Sequence, residues 1–334
     1  SDLDDHRSRP VVHPFAIGGQ AIVIPWRSIV VLPEVTQGRT NLPLAALAQH
    51  SGNTVAAIGY DAIPVVSADV RPPTEPKRYV KYLEVMKHCA RVAGISTSAA
   101  AEFRGFGDAV RSQGIPGPYV TEVMLAAEVS DDPDSPSDTK PHAPRILCVG
   151  RHEPHKNHLA VLHAAELLWR QGLEFSLVFV GGNAWHSGRF HRRVTELQAA
   201  ARPVEAAFGV SDDTLWALYR LARCTVFPSL NEGFGLPVAE SLASGTPVVT
   251  SDFGSMFEIG AEGGALLINP RDDRAIAAAI KTLLTDDLTH ARLVREAAAR
   301  PSRSWEDYAR ETWDYMVASN PLPTEMPERG QRAQ

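Results

Sequence analysis

From residue 145 onward the sequence alternates short β-rich runs with helix-patterned stretches, and this alternation constrains the fold more than any other feature. Residues 145–149, 176–180, 225–227, 247–250 and 265–268 are strand-like and apolar on both faces. Residues 158–170, 212–222, 236–244 and 274–284 carry apolar positions at helical spacing, with Leu215, Leu218 and Leu221 expected to point inward. Strands with two apolar faces need helices on both sides, which means a parallel sheet. The pattern predicts a Rossmann-like α/β domain with ligands at the carboxyl ends of its strands.

The first 130 residues read as a second, smaller α/β unit. Strands are expected at 28–32, 55–59, 92–96 and 119–123. A helix is expected over 77–90, with Tyr79, Leu83, Met86 and Ala90 on one face, and another over 99–110, capped by Ser98. Pro, Ser and Asp crowd residues 130–144, which have almost nothing to bury and read as a linker. The expected division is an N-terminal domain at 1–130, a linker at 131–144 and a C-terminal domain at 145–303. A helix at 304–319 and a polar tail at 320–334 follow. Ser304 and Asp307 suit reciprocal capping of that helix. Trp305, Tyr308, Thr312, Trp313 and Met316 give it a broad apolar face, for which the other domain is the expected partner.

Composition narrows the functional classes. The 334 residues carry 33 Lys and Arg against 39 Asp and Glu, a net charge of −6, which argues against a dominant nucleic-acid-binding surface. Cys89, Cys148 and Cys224 show neither zinc spacing nor a disulfide framework, so a reducing compartment is expected. No apolar run approaches the ~20 residues of a membrane span. The acidic start lacks a signal peptide's apolar core, so a cytoplasmic location is expected.

Two constellations carry chemistry. The first, Asn231-Glu232-Gly233-Phe234-Gly235-Leu236-Pro237-Val238-Ala239-Glu240, follows a strand and opens a helix. Its glycines let backbone N–H groups approach a ligand, and the helix N-terminus attracts an anion. Glu232 at the mouth and Glu240 one turn in can accept from sugar hydroxyls. The spacing alone has little weight, since Glu166 and Glu174 repeat it on what reads as solvated surface. The setting of strand, Gly-x-Gly, Pro and helix is what singles out Glu232 and Glu240. The second, Gly150-Arg151-His152-Glu153-Pro154-His155-Lys156-Asn157, follows the strand at 145–149. Arg151 and Lys156 suit a diphosphate. Its histidines read as loop residues without metal partners. Gly181-Gly182, after the strand at 176–180, allows either close ligand approach or a plain turn.

Taken in order, these motifs resemble the retaining glycosyltransferases of family 4, which have the GT-B fold. The resemblance runs from about 145 to 317. It includes Gly150-Arg151…Lys156-Asn157, Val180-Gly181-Gly182 and Gly209-Val210-Ser211-Asp212. It continues through Leu218-Tyr219…Ala222, Phe227-Pro228-Ser229…Glu232-Gly233-Phe234-Gly235-Leu236-Pro237…Glu240, Gly245-Thr246-Pro247-Val248-Val249 and Ser304-Trp305-Glu306. It implies two Rossmann-like domains facing a cleft, the N-terminal one shortened. It implies that residues 145–303 bind a nucleotide-sugar donor, a GDP- or UDP-sugar, and that no metal or further cofactor takes part. Arg151 and Lys156 then meet the diphosphate, Glu232 the donor sugar and Glu240 the ribose. The backbone of Gly233, Phe234, Gly235 and Leu236 lies near sugar and phosphates, and Phe208, Gly209 and Val210 lie near the base.

The N-terminal match is weaker. Gly18-Gly19 is not followed by a long helix, and in Ile58-Gly59-Tyr60-Asp61 a Tyr stands where the family often has His. A role for Asp61 near the donor sugar or acceptor and a turn role are both open, as are a cleft-facing and a helix-approach role for Ser96. The expected acceptor is a glycan, a lipid-linked sugar or a small molecule, with peripheral membrane contact left open. So is dependence on a missing N-terminal segment or partner. The competing readings are a non-catalytic nucleotide-sugar-binding module and a GT-B enzyme of another reaction type.

Overall fold

The computed structural model describes residues 15–17, 20–22, 25–129 and 143–318. Most of the expected linker, the Gly18-Gly19 pair and the expected tail lie outside these residues. Strands β1 (Phe15–Ile17) and β2 (Gln20–Ile22) pair antiparallel. The N-terminal sheet is parallel, in the order β3 (Ile29–Leu32), β4 (Thr54–Gly59), β5 (Arg91–Gly94), β6 (Tyr119–Glu122). Its connections carry α1 (Asn41–His50), then α2 (Ile63–Val66) and α3 (Thr74–Met86), then α4 (Thr97–Arg111). Val55, Ala57 and Val92 pack with Tyr79, Tyr82 and Phe103 on one face of the sheet.

The second sheet is also parallel. Its strands are β7 (Arg145–Val149), β8 (Ser176–Val180), β9 (Val204–Ala207), β10 (Cys224–Phe227), β11 (Val248–Ser251) and β12 (Ala265–Ile268). The helices are α5 (His158–Arg170), α6 (Gly188–Ala199), α7 (Asp212–Leu221), α8 (Leu236–Ala243), α9 (Gly254–Gly260), α10 (Asp273–Thr285) and α11 (Asp287–Ala298). The spatial order β12-β11-β10-β7-β8-β9 has one consequence for function. The chain builds outward from β7 to β9, then returns beside β7 with β10 and builds the other way. The reversal opens a crevice at the carboxyl ends of β7 and β10, where ligands bind in sheets of this type. The α/β expectation of two Rossmann-like units holds, the N-terminal one having four strands among the described residues.

Several local expectations need correction. The cap of α4 is Ser96, not Ser98: the helix starts at Thr97, and the extended Ser96 accepts from the Ala99 N–H at 2.9 Å. Helix α3 ends at Met86 and buries Tyr79, Tyr82, Val85 and Met86, leaving Leu83 half-buried and Ala90 beyond its end. On α7 the buried side chains are Ala217 and Tyr219, whereas Leu215, Leu218 and Leu221 are half-buried. Glu166 is ion-paired to Arg170 and Arg193 rather than simply solvated.

The helix α12 (Trp305–Trp313) has the expected Ser304/Asp307 capping box. Its apolar face is narrower than expected, because Trp305 and Trp313 remain exposed. Tyr308, Tyr315 and Met316 instead join Ile58, Ala93 and Phe234 in one apolar cluster that spans both sheets' surroundings. Polar bonds reinforce it: Arg303 Nε donates to the Met124 carbonyl at 2.8 Å, and Tyr315 donates to that of Tyr119 at 2.8 Å. The three cysteines are buried free thiols.

Candidate active site

The crevice is floored by two loops. After β7 the chain makes a short 3₁₀ turn, Pro154–Lys156, and Asn157 takes a left-handed conformation (φ 59°) that launches α5. The Asn157 side-chain amide donates to the Pro270 carbonyl at 2.7 Å and so ties the turn to the strand ends beyond. After β10 the chain runs through Ser229 and Glu232 to Gly235 (φ 100°), which opens α8 with Pro237 in its first turn. The loops are bonded to each other, because Leu230 N–H donates to the His155 carbonyl at 2.7 Å.

This pairing brings together residues far apart in sequence. Lys156 Nζ donates to Glu232 Oε1 at 2.5 Å, and the Ser229 hydroxyl donates to the same oxygen at 2.6 Å. Lys156 also stands 5.0 Å from the Phe227 ring. Arg151 behaves differently: its side chain is 64% exposed, with Nη1 3.6 Å from Glu153 Oε1. Glu240, on α8, accepts from the Tyr219 hydroxyl at 2.7 Å. Burial raises the Glu240 pKa, against the opposing effect of that hydrogen bond.

Two glycines are dictated by close backbone approach. A Cβ on Gly181 would lie 2.0 Å from the Gly150 carbonyl oxygen, so the loops after β7 and β8 fit only without a side chain. A Cβ on Gly233 would lie 2.3 Å from the Tyr60 carbonyl oxygen, which belongs to the other sheet's loop. The Ser96 hydroxyl donates to the Gly233 carbonyl at 2.6 Å, so Ser96 both caps α4 and crosses the cleft. Glu258 on α9 accepts from the N–H groups of Thr97 and Ser98.

Asp61 is thereby brought next to Glu232 and Gly233. Burial raises its pKa; the Ile63 N–H it accepts opposes this, nearby Glu232 adds to it, and Arg71 and Lys156 oppose it. Phe234 contributes only backbone to the crevice, since its side chain is buried in the apolar cluster between the sheets, where the half-buried Leu236 also packs. Phe208 is 49% exposed and lies beside the rings of His152 and His191, next to the open Gly209 and half-buried Val210. Gly182 accepts from His152 N–H at 2.9 Å through its carbonyl.

The histidines depart from the expectation of ordinary loop residues. His152 and His155 are each only 2% exposed, and His158 is also buried. Burial, reinforced by neighbouring histidines or cations, lowers His152 to about 4 and His155 and His158 to about 3. They are neutral at pH 7. Ser229, Tyr219, Glu153, His155 and Arg71 also line or brace the site, and sequence reasoning did not single them out as a group. Ser229 reaches Glu232 within one loop, whereas Tyr219 meets Glu240 from another helix and Arg71 meets Glu153 across the cleft, where linear spacing carries no signal.

Comparison with known proteins agrees with this architecture. The family model described as glycosyl transferases group 1 matches residues 131–300, just over half of the chain. The chain is 28% identical over 251 residues to O-antigen chain mannosyltransferase B of Escherichia coli, covering 72% of this chain and 65% of that protein. It is 37% identical over 171 residues to a D-inositol 3-phosphate glycosyltransferase of Acidothermus cellulolyticus, covering 48% of this chain and 38% of that protein. It therefore spans less than two thirds of the length of either relative. Among solved structures, the sucrose-phosphate synthase of Thermosynechococcus elongatus superposes with a TM-score of 0.63 at 20% identity, covering 86% of this chain and 70% of that one. A structure of trehalose-6-phosphate from E. coli bound with UDP-2-fluoro glucose gives 0.61 at 14% identity, covering 85% of this chain and 72% of that one. The structural likenesses establish the fold, and the match over residues 131–300 establishes more: the chain belongs to the glycosyl transferases group 1 family.

Proposed function

We propose that this chain is a retaining glycosyltransferase that moves a hexosyl unit from a nucleotide-sugar to a glycan, lipid-linked or small-molecule acceptor. The observation that carries this reading is the Lys156–Glu232 pair at the carboxyl ends of β7 and β10, followed by α8 with Glu240 about one turn inside it. A cation suited to a diphosphate and carboxylates suited to sugar hydroxyls meet at the crevice where the strand order reverses. The names of the mannosyltransferase and inositol-phosphate glycosyltransferase relatives support the same reaction class.

The chemistry follows from the charges. Cleavage of the sugar C1–O bond leaves negative charge on the departing diphosphate. Lys156 and the N-terminus of α8, with the more exposed Arg151 drawn in by the bound donor, stabilise that charge. Lys156 exchanges Glu232 for a phosphate oxygen, which frees Glu232 to accept from donor-sugar hydroxyls. Glu240, oriented by Tyr219, accepts from the ribose. The base lies against the backbone of Phe208, Gly209 and Val210. A leaving phosphate oxygen takes the acceptor's proton on the same face, so the configuration at C1 is retained and no divalent metal is required. Asp61, held beside Glu232, faces the sugar or acceptor. Contact between the loops at Tyr60 and Gly233 excludes water from the donor.

Among the described residues no helix is long and apolar enough to cross a membrane. We place the chain in the cytoplasm, with the N-terminal unit facing the acceptor, at the inner membrane face if that acceptor is lipid-linked. The test incubates the chain with UDP-, GDP-, ADP- and dTDP-hexoses in EDTA and follows released sugar and nucleoside diphosphate by NMR. The expected result is slow hydrolysis of one donor with the first-formed sugar in the donor's anomeric configuration. The opposite anomer would overturn retention. Binding of a donor with no turnover, even with a panel of glycan acceptors, would favour a non-catalytic nucleotide-sugar-binding module.

A further inference from the structure

One cation reaches the crevice from the opposite side. Arg71 lies in the N-terminal unit, between the 3₁₀ turn Ala68–Val70 and α3. Its side chain is only 11% exposed, yet it points at the C-terminal unit. Its Nη1 is 3.7 Å from Glu153 Oε2 and 3.4 Å from Glu75 Oε2, and its guanidinium lies 4.7 Å over the Trp185 ring. Its Nε is buried and makes no hydrogen bond. Four residues earlier, the Ser67 hydroxyl accepts from the Asn231 amide at 3.3 Å. The segment 67–71 therefore touches the loops after β7, β8 and β10 together.

The carboxylate at the centre of this contact is loosely held. Glu153 is 9% exposed, and its oxygens lie 3.6 Å from Arg151 Nη1, 3.7 Å from Arg71 Nη1 and 3.3 Å from His155 Nδ1. A seated charge-assisted hydrogen bond is about 2.7–2.9 Å. Two guanidinium groups and an imidazole thus surround one anion at distances longer than any of them prefers. A phosphate, with more oxygens and more charge, satisfies such a ring better than one carboxylate does.

We propose that Arg71 is a third cation of the diphosphate site, delivered across the cleft by the N-terminal unit, and that the Glu153 carboxylate holds its place until a nucleoside diphosphate arrives. The proposal rests on the donor-site reading above. It means that diphosphate binding and closure of the two units over it are one event, because the phosphate is the group that both sides grip.

The two variants Arg71→Ala and Glu153→Gln separate this proposal from a plain interdomain ion pair. An ion pair is broken by either change, so both would act with the same sign. Under the proposal their effects on diphosphate affinity are opposite. The experiment titrates UDP, GDP, ADP and dTDP into the chain, the two variants, Arg71→Lys and Glu240→Ala by calorimetry. The nucleotide-free thermal midpoint of each is measured as a folding control. For the nucleotide that the chain binds, Arg71→Ala is expected to weaken binding by about tenfold or more. Arg71→Lys should weaken it less, and Glu153→Gln should tighten it by about threefold. Unchanged binding in Arg71→Ala, or weakening in both Arg71→Ala and Glu153→Gln, would overturn the proposal. If Glu240→Ala loses affinity while Arg71→Ala does not, the donor site stands and only this inference falls. If the chain binds none of the four nucleotides, both fall.

Discussion

Replacing Lys156 with alanine is expected to lower donor turnover by about 10²–10³-fold, the usual cost of removing one preorganised group from developing charge. Lys156 is half of a largely buried pair, with side-chain exposures of 15% for it and 10% for Glu232. Its removal therefore has a second consequence. Glu232 keeps its bond from Ser229 but loses its cation, and an uncompensated charge in this largely buried position is expected to destabilise the fold by about 2–3 kcal/mol, less than the cost in a dry interior. Lost activity alone would then be open to the objection that the variant is poorly folded. The double variant Lys156→Ala/Glu232→Gln removes charge and countercharge together. It is expected to recover most of the stability in urea titrations while staying at least as inactive as the single variant. Recovery of turnover with stability would mean that Lys156 is a structural partner of Glu232 and does not meet the diphosphate.

The second large effect concerns pH. His155 and His158 are held down to about 3 and His152 to about 4, mainly by burial. An unfolded chain protonates these side chains near pH 6.5. Because the folded pKa values lie below the unfolded one, the stability they confer is fully present above pH 6.5. It is lost as pH falls towards 3–4. At pH 5 each buried histidine accounts for about 2 kcal/mol of lost stability. Three together remove a large share of an ordinary folding free energy of about 5–15 kcal/mol. Glu240, Asp61 and Glu153 have raised pKa values and act in the opposite direction, gaining stability as pH falls. One histidine is therefore best isolated by substitution. His158 packs edge-on against Phe179 at 5.3 Å, and both its ring nitrogens lack hydrogen-bond partners. His158→Phe is expected to keep or raise stability at pH 7 and to shrink the loss between pH 7 and pH 5 by about 2 kcal/mol. An unchanged loss, read from urea unfolding at both pH values, would mean that His158 is not the neutral buried base described here.

Much of this was legible in the linear pattern, and what was not has a common physical cause. The β7, α5, β8 and β12 segments coincide with their sequence expectations because strong local periodicity and flanking glycines agree there. The Ser304/Asp307 box was readable for the same reason: capping is local. Helix α1 was not, since its run of alanines and leucines has no clear polar side. Helix α6 was hidden by its arginines, although Phe190, Val194 and Leu197 do recur at helical spacing and could have revealed it. The sequence points to Ser98 as the cap where Ser96 caps the helix, because boundaries shift by a residue or two when several capping side chains lie together.

At the site, motif order pointed to Lys156, Glu232 and Glu240. The pairing of Lys156 with Glu232, 76 residues apart, needs the reversal of strand order that sets β10 beside β7. Tyr219 and Ser229 fall inside the ordered motif set but have no role assigned by it, and Arg71 has no motif around it. Tyr219 and Arg71 matter because tertiary structure sets them against Glu240 and Glu153, while Ser229 reaches Glu232 within the loop after β10.

The crevice between β7 and β10 is expected to receive a nucleoside diphosphate whose ribose is held by Glu240. Calorimetric titration of UDP, GDP, ADP and dTDP in EDTA, into the chain and into Glu240→Ala, tests it most directly. One nucleotide is expected to bind the chain and to bind the variant about tenfold or more weakly. Binding of none, or equal binding to both, would contradict it.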